Sequence, residues 1–240
     1  MKKQFDTQDS WYDDAHEYWN NVTPTVNGML GGYESISKID VQGSQRFIEE
    51  LVNGRKGAKG NVLSAPYIEK ERACDCGAGI GRVTKHFLLN NFKTVDLVEQ
   101  TAKFLEQAQE EYLLNEKEAG RIGEFICQGL QDFTPEEESY DLIWSQWVLG
   151  HLTDDDLVAF FERCKRGLKP RGLIGVKENI AVSGYIVDEE DSSVTRSEDI
   201  LKGIFKKAGL RIIKEQTQMG FPSGLFTVKM FALVPESSEE

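Results

Sequence analysis

The stretch Asp75-Cys76-Gly77-Ala78-Gly79-Ile80-Gly81-Arg82 holds residue types and spacings that speak directly of chemistry. A short apolar run at 72–76 leads into it and an amphipathic run at 83–92 follows, which is the order strand, glycine turn, helix. The turn reads Gly-x-Gly-x-Gly, with an acid two residues before its first glycine. A dinucleotide fingerprint would put Gly or Ala at position 82, where this chain has Arg. The difference is chemical. A pyrophosphate needs bare amides at a helix start. S-adenosylmethionine (SAM) presents a carboxylate, an ammonium and a ribose, which suit an Arg and nearby acids. We therefore read a SAM turn, with S-adenosylhomocysteine (SAH) as the product, rather than an NAD site.

Ligands of alternating α/β sheets sit beyond the C-terminal ends of the strands. Gly77, Gly79 and Arg82 follow the first strand expected in the sheet. The second ends on Glu99, Gln100 and Thr101; an ionised acid there is acceptor-only and can take two ribose hydroxyls. Leu130 and Gln131 follow the third, an apolar face for adenine and a polar neighbour. Gln146 and Trp147 follow the fourth. Each alone is weak, since a strand-end acid is usually just exposed and a glycine turn can be only a turn. Together they point to SAM.

The elements that must position these residues alternate. Strands are expected at 72–76, 94–98, 123–127, 140–145, 172–177, 210–216 and 225–234, and helices at 83–92, 102–118, 154–167 and 197–208. The helix at 154 is well marked: Thr153 as N-cap, three Asp in its first turn, basic residues near its end, then Gly167 and Pro170. Alternation implies a mainly parallel sheet covered on both faces. The last two strands lack a helix between them and are joined by a turn at 219–224, so they form a terminal antiparallel hairpin. That outline is the α/β class I SAM-dependent methyltransferase fold, Rossmann-like, with seven strands. Residues 1–60 form an N-terminal helical cap with helices from Ser10 to Asn20 and from Gln42 to Val52, and 53–66 a flexible connection. The whole of 1–240 is expected to be one domain: the cap, a SAM-binding core at 61–235 and an acidic tail at 236–240.

Composition narrows the classes. Forty per cent hydrophobic and 28% charged residues are ordinary for a globular chain, and no apolar run approaches a membrane span. The start of the chain turns acidic at once, unlike a secretory signal. A net charge of −12 argues against a nucleic-acid surface and is compatible with a basic partner, although plain solubility explains it as well. Cys74, Cys76, Cys127 and Cys164 form no Cys-x-x-Cys pair; we expect buried reduced thiols, no metal site, and a cytosolic or nuclear protein. No heptad or exposed apolar stripe stands out, and a monomer is expected.

The chain also resembles the eukaryotic protein N-terminal methyltransferases, from about Tyr18 to Leu233. The resemblance rests on Tyr18-Trp19, the segment 24–33 ending Leu30-Gly31-Gly32-Tyr33, the turn 75–82, the segment 129–135, Gln146-Trp147-Val148-Leu149-Gly150-His151-Leu152, and Asp191-Ser192-Ser193-Val194-Thr195-Arg196. It implies methyl transfer from SAM to the α-amine of proteins beginning Xaa-Pro-Lys, ribosomal and chromatin-associated ones among them, in cytoplasm or nucleus. Asp191 and His151 match the family positions that hold and deprotonate the amine, and Asn179 the residue that orients the first peptide unit. Leu30, Ile36, Trp147 and Leu225 match the apolar wall for Pro, with Gly31 in the same loop; Asp188, Asp191 and Ser193 match the polar contacts to Lys, and Trp19 an aromatic beside the amine.

Plainer readings stand beside these. Trp19 and Trp147 could be core aromatics, His151 a backbone partner, Asn179 a turn residue, and 188–191 a solvated acidic loop. Met29 and Met219 are assigned to packing. Glu99 stands where some relatives have Asp, and Phe226 where a Tyr hydroxyl is expected to touch the peptide further along. The alternatives to the main reading are a small-molecule amine methyltransferase of the same fold and a non-catalytic SAM-binding partner protein.

Overall fold

The computed structural model of the protein describes residues 10–57 and 61–236. The acidic start at 1–6, the last four residues of the expected tail and residues 58–60 of the expected connection lie outside them. Three helices come first: α1 (Trp11–Asn21), α2 (Val26–Met29) and α3 (Ser37–Asn53). Ser10 does not cap α1 through the backbone; its Oγ donates to the Asp14 carboxylate at 2.7 Å. A small antiparallel pair follows, β1 (Arg55–Lys56) and β2 (Val62–Ser64), within the stretch expected to be a flexible connection.

The alternating unit then runs β3 (Arg72–Cys76), α4 (Arg82–His86), β4 (Thr94–Glu99), α5 (Ala102–Gln107), α6 (Leu114–Glu118), β5 (Ile122–Cys127), β6 (Tyr140–Gln146), α7 (Asp154–Gly167) and β7 (Leu168–Ile180). A two-stranded insert, β8 (Tyr185–Asp188) and β9 (Ser193–Arg196), precedes α8 (Glu198–Lys207), β10 (Leu210–Thr217) and β11 (Thr227–Pro235). The seven-stranded sheet has the order β10-β11-β7-β6-β3-β4-β5. Five strands, β7, β6, β3, β4 and β5, pair in parallel; β11 is antiparallel to both β7 and β10, so β10 runs the same way as the five. β3 lies between β4 and β6, so the crossovers leave it in opposite directions, and a crevice opens at the ends of β3 and β4.

Every residue of β6 is buried, because both faces of a parallel sheet are covered. The pleat sorts its side chains. Leu142 and Trp144 join Phe47, Ile48 and Phe87 on one face; Ile143 joins Phe160, Phe161 and Phe205 on the other. Full burial of each such side chain stabilises by roughly 1.5–3 kcal/mol. α3 therefore contributes to the sheet's own core as well as to the cap. α7 begins as the sequence says: Thr153 Oγ1 accepts from the Asp156 amide at 3.2 Å.

Several expected bounds shift. The expected helix at 83–92 is α4 and a separate 3₁₀ turn at Leu88–Asn90, and the one at 102–118 is broken by a π-turn at Ala108–Tyr112. The insert replaces an expected loop, because Ser192 takes a left-handed φ of 50° that closes a tight hairpin. Cys127 is exposed on the edge strand, unlike the three buried thiols. Met219, assigned to packing, is 70% exposed.

Candidate active site

The turn after β3 needs its glycines. Gly77, Gly79 and Gly81 have φ of 72°, 55° and 85°. A Cβ would lie 2.4 Å from Val148 at Gly77 and 2.5 Å from the Met29 sulfur at Gly79, closer than real contacts allow. The turn can therefore approach both the segment after β6 and the end of α2. Its expected acid, Asp75, points inward. There it accepts from Thr84 Oγ1 at 2.6 Å, and burial pushes its carboxyl up to about 6.

Two cavities meet beside this turn. The first is lined by Gly77, Gly79, Arg82, Glu99, Gln100, Leu130, Gln131 and Gln146, and roofed by α1 through Tyr12, Ala15 and Trp19. The second is lined by Leu30, Ile36, Asn179, Asp191, Ser193 and Leu225, together with Tyr33, Glu178, Phe221 and Phe226. Trp19, Met29, Trp147 and His151 border both. A molecule in each would meet at those four side chains.

The first cavity is chemically graded. Glu99 Oε2 accepts from the Gly79 amide and Oε1 from the Thr101 amide, both at 2.9 Å. Burial raises its pKa, and those two amides work against the rise. A carboxylate has about four acceptor directions, so this one keeps capacity for a diol. Arg82 supplies a cation at one end, and Leu130 and Phe104 apolar faces elsewhere. Carboxylate, ribose and adenine are the parts of SAM that this donor and acceptor set fits.

Behind Arg82 lies a buried ionic cluster. Arg82 Nη1 donates to Asp40 Oδ2 at 2.7 Å, and Lys177 Nζ lies 2.5 Å from Asp40 Oδ1. Gln146 Nε2 donates to both Asp40 oxygens, at 2.9 and 3.0 Å. Lys177 also donates to the Asp40 carbonyl, Ser44 Oγ and Gln218 Oε1. Burial opposes the charge of Asp40, but Lys177 and Arg82 outweigh it and hold the carboxyl below its ordinary range. Burial lowers the Lys177 pKa, with Asp40 opposing.

The segment after β6 carries Trp147 and His151. Trp147 has a φ of 53°, a conformation that costs a non-glycine residue roughly 1–2 kcal/mol. Glu178 Oε1 holds it, accepting from the Val148 and Leu149 amides at 3.0 and 2.9 Å. At the other end Arg196 donates to the Leu149 and Leu152 carbonyls. α1 closes the segment from outside, with Trp11 Nε1 on the His151 carbonyl at 2.7 Å.

The same geometry fixes the His151 tautomer. Trp19 Nε1, a donor only, lies 3.1 Å from His151 Nε2, so Nε2 accepts. Nδ1 lies 3.1 Å from the Ser192 carbonyl and carries the proton. Burial lowers the ring's pKa, while Asp191 and the Ser192 carbonyl oppose that. His151 is thus a neutral imidazole whose lone pair is already engaged. By contrast Asp191 Oδ1 and Trp147 Nε1 are buried polar atoms without a protein partner.

Three expected site residues lie outside both cavities. Thr101 is buried and offers its amide to Glu99. Gly31 turns the chain at a φ of 55°, swinging Leu30 and Ile36 inward without touching the cavity itself. Asp188 ends β8 and accepts from the Glu190 amide, because the hairpin directs it outward. Met29, assigned to packing alone, borders both cavities. Sequence reasoning missed Asp40, Lys177, Glu178 and Phe221. Starting α3 at Gln42 left Asp40 outside any helix, although Asp40, Ser44 and Phe47 already have helical spacing. Within the expected strand 172–177, a lysine directly after Gly172-Leu173-Ile174-Gly175-Val176 was the available signal for Lys177.

Comparison with known proteins agrees with this geometry. A family profile described as AdoMet dependent proline di-methyltransferase matches residues 7–234. The chain is 49% identical over 226 residues to the N-terminal Xaa-Pro-Lys N-methyltransferase 1 of Danio rerio, covering 94% of this chain and 96% of that one. It is 47% identical to the alpha N-terminal protein methyltransferase 1 of Oryza sativa, covering 95% of this chain and 73% of the relative. Among solved structures, a SAM-dependent methyltransferase of Leishmania major superposes with a TM-score of 0.82 at 39% identity, over 97% of this chain and 87% of that chain. A phosphoethanolamine N-methyltransferase of Haemonchus contortus shares the fold at 17% identity, with a TM-score of 0.70 over 100% of this chain and 51% of that one. A glycine turn with Arg at its end, a buried strand-end acid and a second cavity sharing Trp147 and His151 are thus joined to a family match over nearly the whole length: the chain belongs to the AdoMet-dependent proline di-methyltransferase family, and is a SAM-dependent methyltransferase.

Proposed function

We propose that the protein methylates the α-amine of protein chains beginning Xaa-Pro-Lys, with SAM in the first cavity and the peptide N-terminus in the second. One observation carries the reading: the two cavities share Trp19, Met29, Trp147 and His151, and an unpartnered Asp191 oxygen lies buried beside them. When bound, SAM supplies a methyl carbon on a positively charged sulfur and leaves as the neutral thioether SAH.

An α-amine titrates near 8, so roughly a tenth is neutral at pH 7. A weak base within reach is enough. Asp191 Oδ1 is the acceptor for the amine's proton, which leaves the nitrogen lone pair free to take the methyl. His151 keeps Trp19 over the amine; for His151 itself to take the proton, Trp19 must first release Nε2. Asn179 offers an amide to the first peptide unit. Leu30, Ile36, Trp147 and Leu225 line a space for the second residue, where a flat proline ring fits, and Ser193 and Asp191 lie toward the third. The rest of the rate comes from alignment of amine and methyl. Substrates of this kind include ribosomal and chromatin-associated proteins, met in cytoplasm or nucleus by a monomeric enzyme.

Mass spectrometry of a Ser-Pro-Lys peptide incubated with protein and SAM tests this, with an N-acetylated twin beside it. Whole methyl increments on the free peptide alone are expected. Gain on both would mean lysine side-chain transfer; gain on neither, with SAH binding intact, would favour a small-molecule amine.

A further inference from the structure

We propose that Asp40 is a positioning residue that couples the two halves of the site, by fixing the Arg82 guanidinium between the cofactor's carboxylate and the Trp147 indole. The proposal rests on the reading that the first cavity takes SAM.

Asp40 itself does not reach a ligand. It is 1% exposed, and its oxygens accept four contacts: Lys177 and Gln146 on Oδ1, Arg82 and Gln146 on Oδ2. That fills the capacity of a carboxylate. Its effect passes through Arg82, which is 4% exposed and lines the first cavity. Nη1 is held by Asp40 and, at 3.3 Å, by Ser37 Oγ. Nε and Nη2 have no acceptor among the described residues and remain for a ligand. The guanidinium carbon lies 5.8 Å from the centroid of the Trp147 ring, which also packs near Phe221 and borders the second cavity. One planar cation thus serves both sides, and one carboxylate sets its plane.

Two further features support the coupling. Arg82 and Lys177 share the one carboxylate they directly touch, Asp40, so this contact cluster holds two cations to one anion in a place nearly shielded from water and suits a carboxylate ligand. Asp40 also lies four residues beyond Ile36 of the second cavity's wall, which immediately precedes α3, so one short segment carries both that wall and the anchor of Arg82.

The test is SAH titration by calorimetry, with peptide affinity measured with and without saturating SAH. Asp40→Asn is expected to weaken SAH by roughly tenfold, as loss of a charge-assisted anchor would. It should also abolish most of the gain in peptide affinity that SAH brings. A cluster acting by charge alone predicts the opposite sign, since removing the anion leaves a more positive pocket and tightens SAH. Arg82→Lys keeps the charge but loses the fork. If Asp40 acts through Arg82, the double variant is no weaker than Arg82→Lys alone, within about twofold. Phe47→Leu, on the same helix but in the apolar core, should lower the melting temperature and leave SAH affinity in place.

SAH affinity of Asp40→Asn equal to or tighter than that of the parent, additive losses in the double variant, or an equal loss in Phe47→Leu would overturn the proposal. Nitrogen NMR of the unmodified protein guards against a variant that does not fold. Two distinct Arg82 Nη signals in slow exchange are expected, and one averaged signal would sink the idea. A parent protein that binds no SAH sinks the SAM reading and the proposal together; a parent that binds, with an indifferent Asp40→Asn, sinks the proposal alone.

Discussion

In the first cavity the Glu99 and Gln146 side chains already have protein partners, while Asp191 Oδ1 in the second and Trp147 Nε1, whose residue borders both, have none. The cofactor cavity is organised in advance: Glu99 is held by two amides and Arg82 by Asp40. The second cavity, the one proposed for the peptide, leaves Asp191 Oδ1 for its ligand to satisfy. A buried polar group without a partner costs about 1–3 kcal/mol. A peptide can pair with Asp191 and Trp147, and an apolar molecule of the same size cannot. The contrast teaches that the groups lining the first cavity are held by protein bonds with capacity left for a ligand, whereas two buried atoms lining the second have no protein bond at all.

The sharpest way to break this division is Asp191→Ala. Loss of the free acceptor should cut methyl transfer by about 10²–10³-fold, with SAH affinity unchanged within about twofold. If SAH binding collapsed instead, the two cavities would not be separable. Glu99→Ala should do the reverse, weakening SAH by about 10–100-fold as two ribose bonds to a charged acceptor are lost. At saturating cofactor the peptide KM should then move less than about threefold, and a larger change would erase the distinction.

Glu178 sharpens the comparison because it lines the peptide cavity yet is already engaged, by the Val148 and Leu149 amides. Burial pushes its carboxyl from 4.5 up to about 7, against the pull of those amides. The folded state then binds the proton more tightly than the unfolded one. Its contribution to stability is present below about pH 4.5 and is lost as pH rises toward 7. Glu178→Gln mimics the protonated form. Melting curves should show it more stable than the parent by about 1–3 kcal/mol at pH 8, with parity near pH 4.5. A pH-independent difference would mean that the acid is solvated in the folded protein. The smallest effect is expected at Leu225→Ala, a partly exposed wall: peptide KM up about three- to fivefold from lost apolar contact, with kcat unchanged. A fall in kcat alone would put Leu225 beside the reacting atoms.

Much of the fold was legible because parallel strands and amphipathic helices are written locally. The runs at 72–76 and 140–145, the Thr153 cap and the glycine turn all lie where periodicity and capping put them. Boundaries were less so. The π-turn at Ala108–Tyr112 and the β8–β9 hairpin depend on packing that no local pattern records. In the first cavity, Glu99 and Gln146 end strands and Arg82 follows the glycine turn, positions that local pattern marks out. Asp188 lies outside both cavities, at the exposed end of β8, a position set by the hairpin and not by local pattern.

By itself the sequence determined an alternating α/β chain with a glycine turn whose Arg excludes a dinucleotide fingerprint, and through its resemblance the family. Only the tertiary structure decided that Asp40, from 137 positions earlier in the chain, would neutralise Lys177. The same holds for Trp19 engaging the His151 lone pair and for Asp191 keeping a free oxygen. Strand and helix patterns arise from neighbours along the chain. The pairing of buried charges and the engagement of a lone pair arise between segments far apart in it, which meet only when the cap closes over the sheet.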